Sequence, residues 1–135
     1  MTINKQVVVV VCLSIAVTVG VAATSLPRPP ATTYTNLKVL PKNISSKELQ
    51  GIMVDEFQDA LGVTCNFCHA ATKDSHGLDY ASDAKPEKEV ARAMMRMTLN
   101  MNKKYFKVKH PLIGSGALVV TCNTCHKGIV FPPTD

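Results

Sequence analysis

SSKELQGIMVDEFQDALGVTCNFCH, residues 45–69, holds a helix start, a helix stop and a chemically loaded tail in one short segment. Ser45 offers a hydroxyl as N-cap, and Glu48 three residues later completes a capping box. Leu49, Ile52, Met53, Phe57, Ala60 and Leu61 recur at the spacing of one helical face. Gly62 is a suitable stop because it takes the left-handed conformation without strain. The tail is Cys65-Asn66-Phe67-Cys68-His69.

The arrangement occurs twice. A second helix is predicted from near Pro86 to about Tyr105, with the proline in its first turn and Glu87 and Glu89 at its positive end. Val90, Met94, Met97 and Met101 form a single stripe along it, and Cys122-Asn123-Thr124-Cys125-His126 follows. Residues 70–84 read as a loop, residues 118–120 as a short extended stretch, and no convincing sheet is expected.

In Cys-x-x-Cys-His the two thiols stand about one helical turn apart, the separation of the two vinyl groups of haem. The adjacent imidazole is carried under the ring, where it can bind iron. Cys65, Cys68, Cys122 and Cys125 are therefore expected to attach two covalently bound haem c groups, with His69 and His126 as iron ligands. Structural disulfides would leave the repeated histidine unexplained, and such small loops stabilise little. Zinc is disfavoured because 53 residues separate the two Cys-x-x-Cys pairs. A thioredoxin-like site would want a βαβ setting. Across each ring a second iron ligand is expected, and the Met53 helix can fold back over the first. For the second haem, Met94, Met95, Met97 and Met101 are equal by spacing, and His110 is a rival. Methionine stripes are often only packing. His76 reads as a solvated loop residue.

The rest of the chain bounds the reading. With 135 residues there is room for one domain, and 5% aromatic content with no Trp leaves space for a cofactor in the interior. The excess of 15 basic over 10 acidic residues is dispersed, unlike a nucleic-acid arm. Residues 1–23 read as a signal peptide or an N-terminal membrane anchor, and Cys12 within them as a bystander. Residues 24–36 read as an extended linker and 37–135 as the functional domain. Either reading of the leader exports the domain, to the periplasm or the periplasmic face of a bacterial membrane. A retained segment over residues 6–24 would anchor it there.

Several blocks together resemble the family of the cytochrome subunit bound to photosynthetic reaction centres. They are Asn36-Leu37-Lys38-Val39-Leu40, the Met53 helix through His69, Ala81-Ser82-Asp83-Ala84-Lys85, Val90-Ala91-Arg92-Ala93-Met94 and Val120-Thr121 through Lys127-Gly128. The resemblance implies a mainly α, small dihaem c-type cytochrome domain, with two Met-bearing helices each followed by an attachment motif. It implies Met53 as sixth ligand of the first haem and selects Met94 for the second, with His69 and His126 proximal. The family subunit holds four haems in two similar halves, and this chain resembles one half. The expected function is electron transfer to redox partner proteins, as a free carrier or as a subunit of a membrane complex, rather than an enzyme. The alternatives weighed are a dihaem peroxidase, drawing on Glu48, Asp55, Glu56, Asp74 or Asp83, and a haem sensor or structural subunit.

Overall fold

The computed structural model describes residues 34–132. The leader and all but the last three residues of the linker lie outside that range. Helix α1, Ser46–Gly51, starts at the expected cap: the Ser45 hydroxyl accepts from the Glu48 amide, and the Glu48 carboxylate accepts from the Ser45 amide at 3.1 Å. The winding then changes. Ile52–Asp59 form a π-helix, which resumes α geometry at Ala60 and stops at Gly62 with φ +68°. Bonding from i to i+5 brings Ile52 and Phe57 into register, so the single α-helical face expected from the sequence is redistributed. Ile52 and Ala60 are buried, whereas Leu49, Met53 and Phe57 pack on the core half-covered.

Helix α2 is one turn, Cys65–Cys68, and α4 is another, Cys122–His126. Between them run a two-stranded antiparallel ribbon, β1 Ala70–Ala71 with β2 Leu78–Asp79, and the long helix α3, Pro86–Lys104. The ribbon lies within the stretch expected as loop, and α3 lies within one residue of its predicted ends. Mainly α is therefore the observed class among the described residues.

The core is thin. Leu40, Ile52, Met95 and Ile113 meet at its centre, with Leu37, Val39, Ile44, Leu99 and Leu118 around them. Helix α3 presents Arg92, Met95, Thr98 and Asn102 to the interior. The expected stripe points the other way: Val90, Met94 and Met97 are 56%, 44% and 47% exposed.

Ionic contacts tie the N-terminal strap to α3. Asp83 accepts from Lys38 Nζ at 2.7 Å and Arg92 Nη1 at 2.9 Å, and Asn36 Nδ2 donates to it at 2.8 Å. Arg92 also donates to Glu89 at 2.9 Å and to the Asn36 carbonyl at 3.3 Å. These bonds satisfy a guanidinium that is only 6% exposed, which an unpaired charge could not tolerate.

Candidate functional site

Each Cys-x-x-Cys-His sequence folds as predicted around one helical turn. Cys65 and Cys68 are the first and last residues of α2, and His69 leaves it in extended conformation. Cys122 and Cys125 lie on α4 with His126 as its last residue, and Lys127 closes the turn in left-handed conformation. The four motif cysteines, Cys65, Cys68, Cys122 and Cys125, are free thiols. Among the described residues no group of three or more His, Cys, Asp or Glu is placed to hold a metal ion.

The surroundings of the two motifs differ. Helix α2 packs against α3, and Lys85, the residue before α3, donates from Nζ to the carbonyls of Asn66 at 2.5 Å and Phe67 at 3.4 Å. A lysine on the free carbonyls of a one-turn helix supplies the cap that so short a helix lacks. Burial pushes the Cys68 thiol pKa up, with the Glu87 carboxylate adding to the effect against Lys85 and Lys88. His69 lies edge-on to Tyr80, ring centroids 5.0 Å apart, and its Nδ1 is buried with no hydrogen-bond partner. Burial, then the nearby Lys88 and Arg92 charges, pull its pKa down, against an opposing main-chain contact from Tyr80. Burial thus disfavours the charged form of an imidazole whose Nδ1 is unsatisfied.

Helix α4 packs instead against the π-helix that carries Met53. The Cys122 thiol donates to Glu56, and burial together with that carboxylate pushes its pKa up to about 12. A thiol held so firmly protonated is a poor redox nucleophile, which argues against thioredoxin-type chemistry. Gly128 N donates to the Ala60 carbonyl at 2.9 Å, so the residues just after the motif lie on the end of the first helix. His126 Nδ1 lies 3.1 Å from the Ile129 carbonyl. A carbonyl can only accept, so Nδ1 is the donor in this contact and Nε2 is the ring nitrogen left for a metal.

The predicted second ligands have distinct environments. Met53 is half-buried against the core. Met94 and Met97 are exposed on the outer face of α3, Met101 is half-buried there, and Met95 is 5% exposed inside the core. Met95 is thus a packing residue. His76 and His110 are exposed. The carboxylates considered for acid–base work are mostly engaged elsewhere. Glu48 closes the α1 cap, Asp74 accepts from Thr72 at 2.6 Å, and Asp83 joins the strap to α3.

Sequence reasoning missed three contributors: Tyr80 beside His69, Lys85 on α2, and Asn102 on the segment before α4. Asn102 left one trace in the sequence, a polar residue in phase with Arg92, Met95 and Thr98 on the face opposite the methionine stripe.

The arrangement suits a flat apolar prosthetic group. Among the described residues five apolar ones are buried, whereas eleven large apolar ones are exposed, including Tyr80, Val90, Met94 and Met97. A domain this poor in buried apolar area is under-supported by its own side chains, and a porphyrin on those faces would supply the missing burial. The thiol pairs would hold such a group by its edge, and His69 and His126 would offer it ring nitrogens.

The family model for the photosynthetic reaction centre cytochrome C subunit matches residues 13–134. The photosynthetic reaction center cytochrome c subunit of Rubrivivax gelatinosus (strain NBRC 100245 / IL144) is 30% identical over 134 residues, covering 83% of this chain. The chain spans 35% of that relative's length. No solved structure gives a significant match.

Proposed function

The chain belongs to the photosynthetic reaction centre cytochrome c subunit family, and from that membership we propose that it is a dihaem electron-transfer protein of the bacterial periplasmic side. Cys65 and Cys68 attach one haem and Cys122 and Cys125 the other, with His69 and His126 as proximal ligands and Met53 and Met94 across the rings. The observation that carries this reading is the pair of one-turn helices, each with two free thiols and a neighbouring imidazole.

When bound, the iron porphyrin supplies reversible one-electron chemistry. The protein's own contribution is placement and environment. Cross-packing supports the ligand assignment. A porphyrin has to fit between a proximal histidine and its opposing methionine, so a helix lying directly on an attachment motif is badly placed to supply that motif's distal ligand. Helix α3 lies on the first motif and the π-helix on the second. This agrees with the assignment that family membership implies, Met53 for the first haem and Met94 for the second. The Ile129 carbonyl orients His126, and Tyr80 bounds the ring of His69. Thioether ligation favours reduced iron and raises the potential relative to bis-imidazole ligation. Lys85 holds the first attachment turn through the Asn66 and Phe67 carbonyls.

The partners proposed are redox proteins, either free or within a membrane electron-transfer complex. Among the described residues no helix is long and apolar enough to cross a membrane, and residues 6–24 are the segment proposed to anchor the domain if retained. Intact mass and alkaline haem quantitation of the exported protein test the proposal. Two covalent haems per chain are expected, and a chain carrying none or only one overturns it.

A further inference from the structure

Asn102 is 0% exposed, the sole fully buried large side chain among the described residues, and it is polar. Its amide uses its full bonding capacity. Nδ2 donates to the Thr98 carbonyl at 2.9 Å, one turn back on α3, and to the Val120 carbonyl at 2.7 Å. Oδ1 accepts from the amides of Val119 at 2.8 Å and Val120 at 3.2 Å. Turning the amide over would set donors against donors, so this network fixes its orientation.

The bonded segment leads directly into the second attachment motif. Thr121 follows Val120 and caps α4, its amide donating to Thr124 Oγ1 at 3.0 Å. Cys122 comes next. Asn102 also shares α3 with Met94, eight residues or about 12 Å up the axis. One side chain therefore joins the helix that presents the exposed methionine face to the segment that delivers Cys122, Cys125 and His126.

We propose that Asn102 is a positioning residue that fixes the second attachment motif against α3 and so sets His126 relative to the Met94 face. The inference rests on reading Cys122–His126 as a haem site, but the hydrogen-bond clamp can be measured without that reading. A residue that only stabilised the fold would affect both haems alike. A positioning residue affects the second.

The test combines amide hydrogen exchange with redox titration of the full exported protein. In the wild type, Val119 and Val120 amides should exchange as slowly as those in the centre of α3. Exchange at open-loop rates overturns the clamp with no variant needed, whether or not haem is bound. Asn102→Leu keeps the bulk but removes both donors and the acceptor that the Val119 and Val120 amides use. It is expected to speed exchange at Val119 and Val120 at least about tenfold, the usual consequence of leaving such buried groups unpaired. It should also shift the midpoint potential and thioether–iron absorption of the second haem, leaving the first unchanged, with Asn102→Gln restoring neither. Equal shifts at both haems, or unchanged potentials despite faster exchange, overturn the positioning role. A haem-free protein with slow Val119 and Val120 exchange would instead sink the proposed function and the haem-directed role together, leaving Asn102 as a clamp on main chain alone.

Discussion

Neighbouring methionines on α3 have opposite environments. Met95 is packed beside Leu40, Ile52 and Ile113, and Met94 stands 44% exposed one residue away. Removing the Met95 side chain leaves a cavity, and Met95→Ala should destabilise the protein by about 2–5 kcal/mol in chemical denaturation. Its ligand-field spectrum should not change. Met94→Ala is expected to do the reverse: to remove the thioether–iron absorption of one haem and lower that haem's midpoint potential, with less loss of stability. If Met94→Ala retains that absorption, another side chain holds the second iron.

At the scale of elements, the close contact falls between the end of the first helix and the residues after the second motif. Gly62 has φ +68°, and a Cβ there would collide with the Gly128 carbonyl oxygen, a main-chain atom that cannot swing aside. Gly62→Ala combines that collision with left-handed strain of about 1–3 kcal/mol, so its unfolding midpoint in urea should fall by at least the equivalent amount. An unchanged midpoint would mean that the two segments do not meet. Local signals explain why so much of this level could be read from the sequence. The Ser45–Glu48 cap, the Gly62 stop and the Pro86 start each depend on residues within a turn of one another, and all three are observed. The π winding of Ile52–Asp59 was not legible, since i+4 and i+5 bonding compete within the same residues and packing decides between them. The direction of the α3 stripe was not legible either. Spacing shows that Val90, Met94, Met97 and Met101 share a face but not whether side chains or a prosthetic group cover it. Asn102 bonds residues 17 and 18 positions away, beyond the reach of any local pattern.

For the whole molecule, the strap formed by Asn36 and Lys38 is held largely through one carboxylate. Lys38, then Arg92 and Asn36, keep the Asp83 pKa well below the ordinary carboxylate range. A depressed folded-state pKa gives stability that is complete above the unfolded value, near 4, and is lost as pH falls toward the folded one. Urea unfolding at stepped pH should therefore show the wild type losing stability steadily below about pH 4. Asp83→Asn should be weaker at neutral pH and decline less on acidification. Parallel curves for the two proteins would show that Asp83 does not anchor the strap in solution.

Cross-packing also constrains how a chain of this kind can be cut or copied. Because α2 rests on α3 and α4 rests on the π-helix, each half supports the other's attachment turn. Cleavage in the connection between Asp79 and Pro86 would not release two self-sufficient fragments, since each would lose the surface on which its motif sits. The smallest transferable module is the pair, and a gene duplication that enlarged such a protein would have to carry both motifs together.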